Sequence, residues 1–208
     1  MEKQLIISVG REFGSGGYAI AELLAKKFEL PLYDRNLLRE IILEKDLELD
    51  KTEIEELERY DELSKKPLFS RTIRGYSNSP EENIASMQFE YLQKMAEQGK
   101  SFVIVGRCAE TVLKKYAGLI SIYILADTDD KIRRIEKTNE VSRIEAEVLM
   151  RRRDKERKSY HNYYCVHKWG DSRNYDICVN SSRLGISGTA DMLENYIRDR
   201  INRGSPIY

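Results

Sequence analysis

Glycines at positions 14, 16 and 17, with Arg11 just before them, are residues that could hold a phosphate. Glycine lets the backbone come close to an anion, and the free N–H groups at a helix start point at it. The nearest signature is G-x-x-x-x-G-K-[ST]. In that register Gly16 is the last glycine, Gly17 stands at the lysine, Tyr18 at the Ser/Thr, and Arg11 at the first glycine. A tight turn needing positive φ would use the same glycines. Their context favours the anion: the apolar run Leu5-Ile6-Ile7-Ser8-Val9 leads directly into the loop, and a helical pattern over residues 18–28 leads out of it. The backbone of Gly14, Ser15, Gly16, Gly17 and Tyr18 is the expected phosphate cradle.

Further residues could serve the same chemistry. Gly106-Arg107-Cys108 follows the apolar run Phe102-Val103-Ile104-Val105. Asp34 follows a short extended piece at 30–33, where it could cap the next helix or take part in a site. Arg71 and Arg74 lie in a loop-like stretch at 67–80 and could close over a substrate. The basic run Arg151 to Lys158 includes Arg153 and Arg157, which share one helix face at i and i+4, with Asp154 between them to orient an arginine. Arginine makes planar, bidentate contacts to phosphate oxygens. The same run also reads as a solvated helix with Glu/Lys pairing. His161 and His167 read as surface or packing residues, Trp169 as a packing anchor, and Tyr160, Tyr163 and Tyr164 as hinge packing.

The elements that must position these residues alternate. Strands are expected at 5–9, 30–33, 102–105, 119–126 and 176–179. Helices are expected at 18–28, 36–44, 47–63, 81–98, 111–116, 127–137, 141–164 and 189–201. Each strand is a near-continuous apolar run, which indicates an α/β fold with a mostly parallel sheet. Such sheets bind ligands at the carboxyl ends of their strands. That rule brings together the loop from Gly10, Asp34 and Gly106-Arg107. At 208 residues the chain is one ample domain, with room for an inserted subdomain.

Lys plus Arg and Asp plus Glu number 35 each, so the net charge gives no reason to expect a nucleic-acid partner. No apolar run approaches the roughly 20 residues of a membrane span, and no signal peptide is expected. Cys108, Cys165 and Cys178 are too few and too scattered in sequence for a disulfide framework or a zinc site, and reduced thiols fit a cytoplasmic protein.

Taken in order, these segments resemble the cytidylate kinase-like group of P-loop nucleoside monophosphate kinases. The resemblance is carried by Gly10 to Gly17 (GREFGSGG), Leu32-Tyr33-Asp34-Arg35, Val105-Gly106-Arg107-Cys108-Ala109, and Arg153-Asp154-Lys155-Glu156-Arg157 through Tyr163-Tyr164. Lys168-Trp169-Gly170-Asp171 and Asn174 to Asn180 complete it. The segments span essentially the whole chain and are specific together, not singly.

The resemblance implies a P-loop NTPase-type three-layer fold with a five-stranded parallel sheet of order 2-3-1-4-5. It implies a core at about 1–39, 99–143 and 172–208, a helical monophosphate-binding insert at about 40–98, and a lid at about 144–171. It implies transfer of the γ-phosphoryl of ATP, with Mg²⁺, to a nucleoside monophosphate, typically CMP or dCMP. Arg11, Arg153 and Arg157 are then the expected catalytic residues. Arg107, Asp34 and Arg74 would face the acceptor, with Asp34 also holding Mg²⁺ through water. The expected partners are small-molecule nucleotides, and the acidic insert could form a homodimer face.

The sequence departs from the family pattern at the lysine (Gly17), at the acid before Gly106 (Val105), and in having Gly-Arg-Cys for Gly-Arg-Asp. Arg39 stands one residue early for the arginine expected after Asp34. These departures keep two rival readings in play: a non-catalytic nucleotide-binding regulatory module, and a kinase for another small acceptor.

Overall fold

A computed structural model of the chain describes residues 4–45 and 80–203. The order is β1 (Ile6–Arg11), α1 (Gly17–Lys27), β2 (Leu32–Tyr33), α2 (Arg35–Lys45), α3 (Pro80–Glu97), β3 (Phe102–Val105), α4 (Ala109–Val112), β4 (Leu119–Leu125), α5 (Thr128–Asn139), α6 (Arg143–Tyr164), a 3₁₀ turn (Ser172–Asn174), β5 (Ile177–Asn180) and α7 (Gly185–Arg203). The helix expected at 47–63 and the loop with Arg71 and Arg74 lie outside the described residues.

The strands form one parallel sheet of order β2-β3-β1-β4-β5. The central strand β1 shows why the strand sequences are continuously apolar. Side chains alternate between sheet faces, and both faces are covered. Ile7 and Val9 join Val103 and Val105 in a core with Ile20 and Leu24 of α1 and Leu193 and Ile197 of α7. Ile6 joins Phe102 and Ile104 in a second core with Leu38 of α2, Leu92 and Met95 of α3, and Leu113. A smaller cluster of Ile132, Ile135, Ala146 and Met150 fastens α5 to α6 and takes in Phe13 from the loop after β1. The result is a three-layer α/β fold.

The differences from sequence are at element ends. α7 begins at Gly185, four residues before the apolar periodicity. The short helix expected at 111–116 sits earlier, at Ala109–Val112, and starts from two consecutive left-handed residues, Arg107 (φ 59°) and Cys108 (φ 55°). Only Gly and a few polar residues adopt that conformation readily, so no sequence pattern marks the turn. α6 starts where chemistry fixes it. Ser142 accepts from the Glu145 amide, and the Glu145 carboxylate accepts from the Ser142 amide, a reciprocal capping box.

Candidate phosphate-transfer site

The loop between β1 and α1 is held from outside by side chains that take up its carbonyls. Ser181 Oγ donates to Ser15 O at 2.6 Å. Arg134 Nη1 donates to Gly14 O at 3.2 Å, and Ser15 Oγ donates to Glu12 O at 2.8 Å. Gly14 (φ 79°) and Gly16 (φ 77°) are left-handed, and Gly16 starts α1 without a side-chain cap and without an acid in the first turn. First-turn amides have no carbonyl partner inside a helix and carry partial positive charge. An uncapped, acid-free helix start of this kind is suited to an anion.

Arg11 leaves the end of β1 and crosses in front of α1. A Cβ on Gly17 would lie 2.5 Å from Arg11 Cβ and 3.1 Å from its Cγ. A Cβ on Gly106, at the end of β3, would collide with Arg11 Nη1. The Arg11 side chain therefore passes over the first residue of α1 and ends at the turn after β3. It is partly exposed by surface area and deeply surrounded by protein atoms. Burial first, then the charges of Arg157 and Arg107, push its pKa down to about 9. The nearby Asp34 only partly offsets them.

Two further guanidiniums complete the group. Arg157 of α6 donates from Nη1 to Arg11 O at 3.3 Å, lies 5.3 Å from the Phe13 ring centroid, and pairs with Asp154 at 3.9 Å. Arg107 donates to Gln88 Oε1 at 3.2 Å and stacks 3.9 Å from the Tyr160 ring centroid. Burial lowers the pKa of both. Three cations held together in this way, with Asp154 and Asp34 as the nearby acids, make a site for a multiply charged anion.

A family model described as the cytidylate kinase-like family matches residues 6–183. The chain belongs to the cytidylate kinase-like family. A solved but uncharacterized protein from Eubacterium ventriosum is 37% identical, with TM-score 0.74, over 95% of this chain and 100% of that one. Shikimate kinase from Bacteroides thetaiotaomicron is 13% identical, with TM-score 0.52, over 93% of this chain and 98% of that one. Shikimate kinase from Acinetobacter baumannii, solved with shikimate, is 13% identical, with TM-score 0.53, over 96% of each chain. These two likenesses are of fold. No curated protein sequence matches. Membership supports a kinase-type phosphotransferase, and for such a protein it implies ATP and a divalent metal in general terms.

In this cytidylate kinase-like protein the site residues expected from sequence divide into three groups. Arg11, Arg107, Arg157 and the loop from Gly14 to Tyr18 come together. Arg153 does not join them: its side chain is exposed and pairs with Glu156 at 3.2 Å. Arg74 lies outside the described residues. Asp34 caps α2, its Oδ1 accepting from the amides of Asn36 at 3.0 Å and Leu37 at 2.9 Å. It still lies close enough to Arg11 and Tyr18 to raise the pKa of both. Capping and a place beside the site are compatible, and Asp34 has both. Trp169 packs on Tyr123 with ring centroids 5.8 Å apart, as a packing anchor should.

Sequence reasoning named Asp154 as a partner for an arginine, which it is for Arg157, and missed its hold on the loop. Asp154 Oδ1 accepts from the Phe13 amide at 2.7 Å, so α6 is hydrogen-bonded directly to the glycine loop. Lys131, 7% exposed, bonds Glu12 at 2.9 Å and lies 4.0 Å from Asp154. Glu12 and Lys131 are far apart in sequence, and neither has a periodicity that would single it out. The cysteines require a correction. Cys108 and Cys165, which sequence separation treats as scattered, share a side-chain hydrogen bond.

Proposed function

We propose that the protein transfers a phosphoryl group from ATP to a nucleoside monophosphate, with CMP or dCMP the first candidate acceptor. The observation that carries this reading is the convergence of Arg11, Arg107 and Arg157 beside the uncapped start of α1. In phosphoryl transfer the protein mostly positions two phosphates and neutralises charge. Those tasks match what these residues offer.

The donor nucleotide fits the loop, since the carbonyls of Glu12, Gly14 and Ser15 are already taken up, and of the first α1 amides Gly17 N is the one that donates within the loop, to Ser15 Oγ at 3.3 Å. ATP supplies the γ-phosphoryl, and Mg²⁺ shares its phosphate charge. The amides of Gly14 to Tyr18 bind the donor phosphates. Arg11 supplies from β1 the positive charge that a lysine at position 17 would supply from α1. Arg107 clamps the acceptor phosphate, with Tyr160 behind it. Asp34 would hold Mg²⁺ through water, and the family resemblance assigns Arg74 to the acceptor side. Arg157, on α6, contacts the transferring group, and α6 serves as the wall that excludes water. Small-molecule nucleotides are the partners in this reading, nucleic acid is not, and the cytoplasm is the place of action. No helix among the described residues is long and apolar enough to cross a membrane.

The test is ADP release by purified protein given ATP and Mg²⁺ with CMP, dCMP, UMP, AMP or GMP in turn. Turnover with one pyrimidine monophosphate is the expected result. Silence with all five alongside measurable ATP binding would replace this reading with a regulatory nucleotide-binding protein or a kinase for a different acceptor.

A further inference from the structure

The end of α6 packs against the turn that follows β3, and four reactive side chains are buried there. They are Cys108 (3% exposed), Glu110 (5%), His161 (5%) and Cys165 (7%). His161 Nε2 sits 2.7 Å from Glu110 Oε1. His161 Nδ1 is buried and, among the described residues, has no oxygen or nitrogen partner; the Cys165 thiol is the group that the ring meets. A ligand atom from each of Glu110, His161 and Cys165 lies within 4.8 Å of the other two. The Cys165 sulfur also shares hydrogen bonds with Cys108, the His161 ring and Thr111. None of the four has a role in the phosphate chemistry above.

As packing alone this group is unusual, because two thiols, an imidazole and a carboxylate are polar groups gathered where burial makes each costly unless it is paired. As a metal site every feature has a use. Two thiols and an imidazole select a thiophilic cation over Mg²⁺ or Ca²⁺, which take oxygen ligands. Glu110 on Nε2 fixes the imidazole ring so that the lone pair lies on Nδ1, as carboxylates do behind metal-bound histidines. Zn–S and Zn–N distances of about 2.3 and 2.0 Å put neighbouring ligand atoms roughly 3.5 Å apart. A group already within 4.8 Å reaches that spacing by small side-chain shifts. Cys165 is the residue that ends α6, and its amide donates to His161 O at 2.8 Å, which keeps it one turn beyond His161.

We propose that His161 and Cys165, with Cys108 beside them and Glu110 orienting the imidazole, form a binding site for a Zn²⁺-class cation that ties the end of α6 to the turn carrying Arg107. This proposal does not rest on the kinase reading.

The experiment is titration of the reduced full chain, without oxygen, with Co²⁺ and then Zn²⁺. The expected result is one Co²⁺ per chain, with the visible bands of a tetrahedral site and a sulfur-to-metal charge-transfer band, both abolished by one equivalent of Zn²⁺. Cys165→Ser should remove the charge-transfer band or cut it sharply. Glu110→Gln should weaken binding about 10- to 100-fold. Cys178→Ser, on β5, should change nothing. If Cys165→Ser fails to fold, the wild-type spectrum and stoichiometry decide alone. A featureless Co²⁺ spectrum, or equal loss from Cys178→Ser, overturns the proposal. So does a Cys108–Cys165 disulfide that forms on mild oxidation in a chain that takes up no Zn²⁺ when reduced; the pair would then be a redox pair.

Discussion

A lysine at position 17 and an arginine at position 11 cannot occupy the loop together, because a Cβ on Gly17 would lie 2.5 Å from Arg11 Cβ. The two departures from the glycine-lysine signature are therefore one change: the cation has moved from the first residue of the helix to the last residue of the strand. Gly17→Lys alone should lose activity, by forcing Arg11 aside. Arg11→Gly alone should lower turnover by about 10²- to 10³-fold, the scale for removing one positioned group that stabilises transition-state charge. Arg11→Gly with Gly17→Lys should recover a large part of that loss. Steady-state kinetics on the three variants closes the double-mutant cycle, and purely additive losses would refute the coupling. Asp34 allows a similar separation. Asparagine caps a helix as well as aspartate does, so Asp34→Asn should leave the melting temperature unchanged, whereas Asp34→Ala should cost about 1 kcal/mol. Lower turnover in the asparagine variant would isolate the contribution of the carboxylate's charge. The sequence shows that the residues at positions 11 and 17 depart together from the signature. It does not show that one fills the other's space, because that depends on the path of the Arg11 side chain.

At the scale of elements, α6 does most to build the site. Its capping box fixes where it begins, Ala146 and Met150 pack it on α5, Asp154 bonds the glycine loop, and Arg157 reaches Arg11 O. Positions 153 and 157 share a face in the sequence pattern, yet only Arg157 reaches the cluster, while Arg153 pairs with Glu156 in solvent. Arg157→Ala should therefore lower turnover by about 10²-fold or more, and Arg153→Ala should stay within a few-fold in the same assay. Equal losses would show that α6 presents a different face when substrate is bound. Ser142→Ala should cost about 1 kcal/mol in thermal or denaturant unfolding, the usual value of an N-cap. Helix periodicity made α6 legible almost to the residue. What it touches was not legible, because Phe13, Asp154 and Lys131, or Cys108 and Cys165, meet only through the fold.

Over the whole molecule, charge balances and its distribution does not. Lys plus Arg equal Asp plus Glu at 35 each, yet Arg11, Arg107 and Arg157 gather at the carboxyl ends of β1 and β3 with Asp34 and Asp154 as nearby acids. The strands were readable because they are near-continuous apolar runs, whereas the sheet order was readable only through the family resemblance. The cleft was readable only in outline, from the rule that ligands sit at the carboxyl ends of parallel strands. Gathering guanidiniums where water is scarce opposes folding, and an anion relieves it. That gives a stability signature independent of turnover. Inorganic phosphate or ATP should raise the melting temperature of the full chain, by an amount that grows with ligand concentration as binding to the folded state requires. High salt should reduce the shift. Replacing Arg11 by Met keeps its length and removes its charge, and replacing poorly paired buried charge by apolar groups is often neutral or stabilising. Arg11→Met should therefore leave the ligand-free protein as stable as before, or more stable by about 1 kcal/mol, while abolishing most of the ligand-induced shift. A large loss of ligand-free stability in this variant would mean that Arg11 is a structural strut, and the anion site would have to be assigned to Arg107 and Arg157 without it.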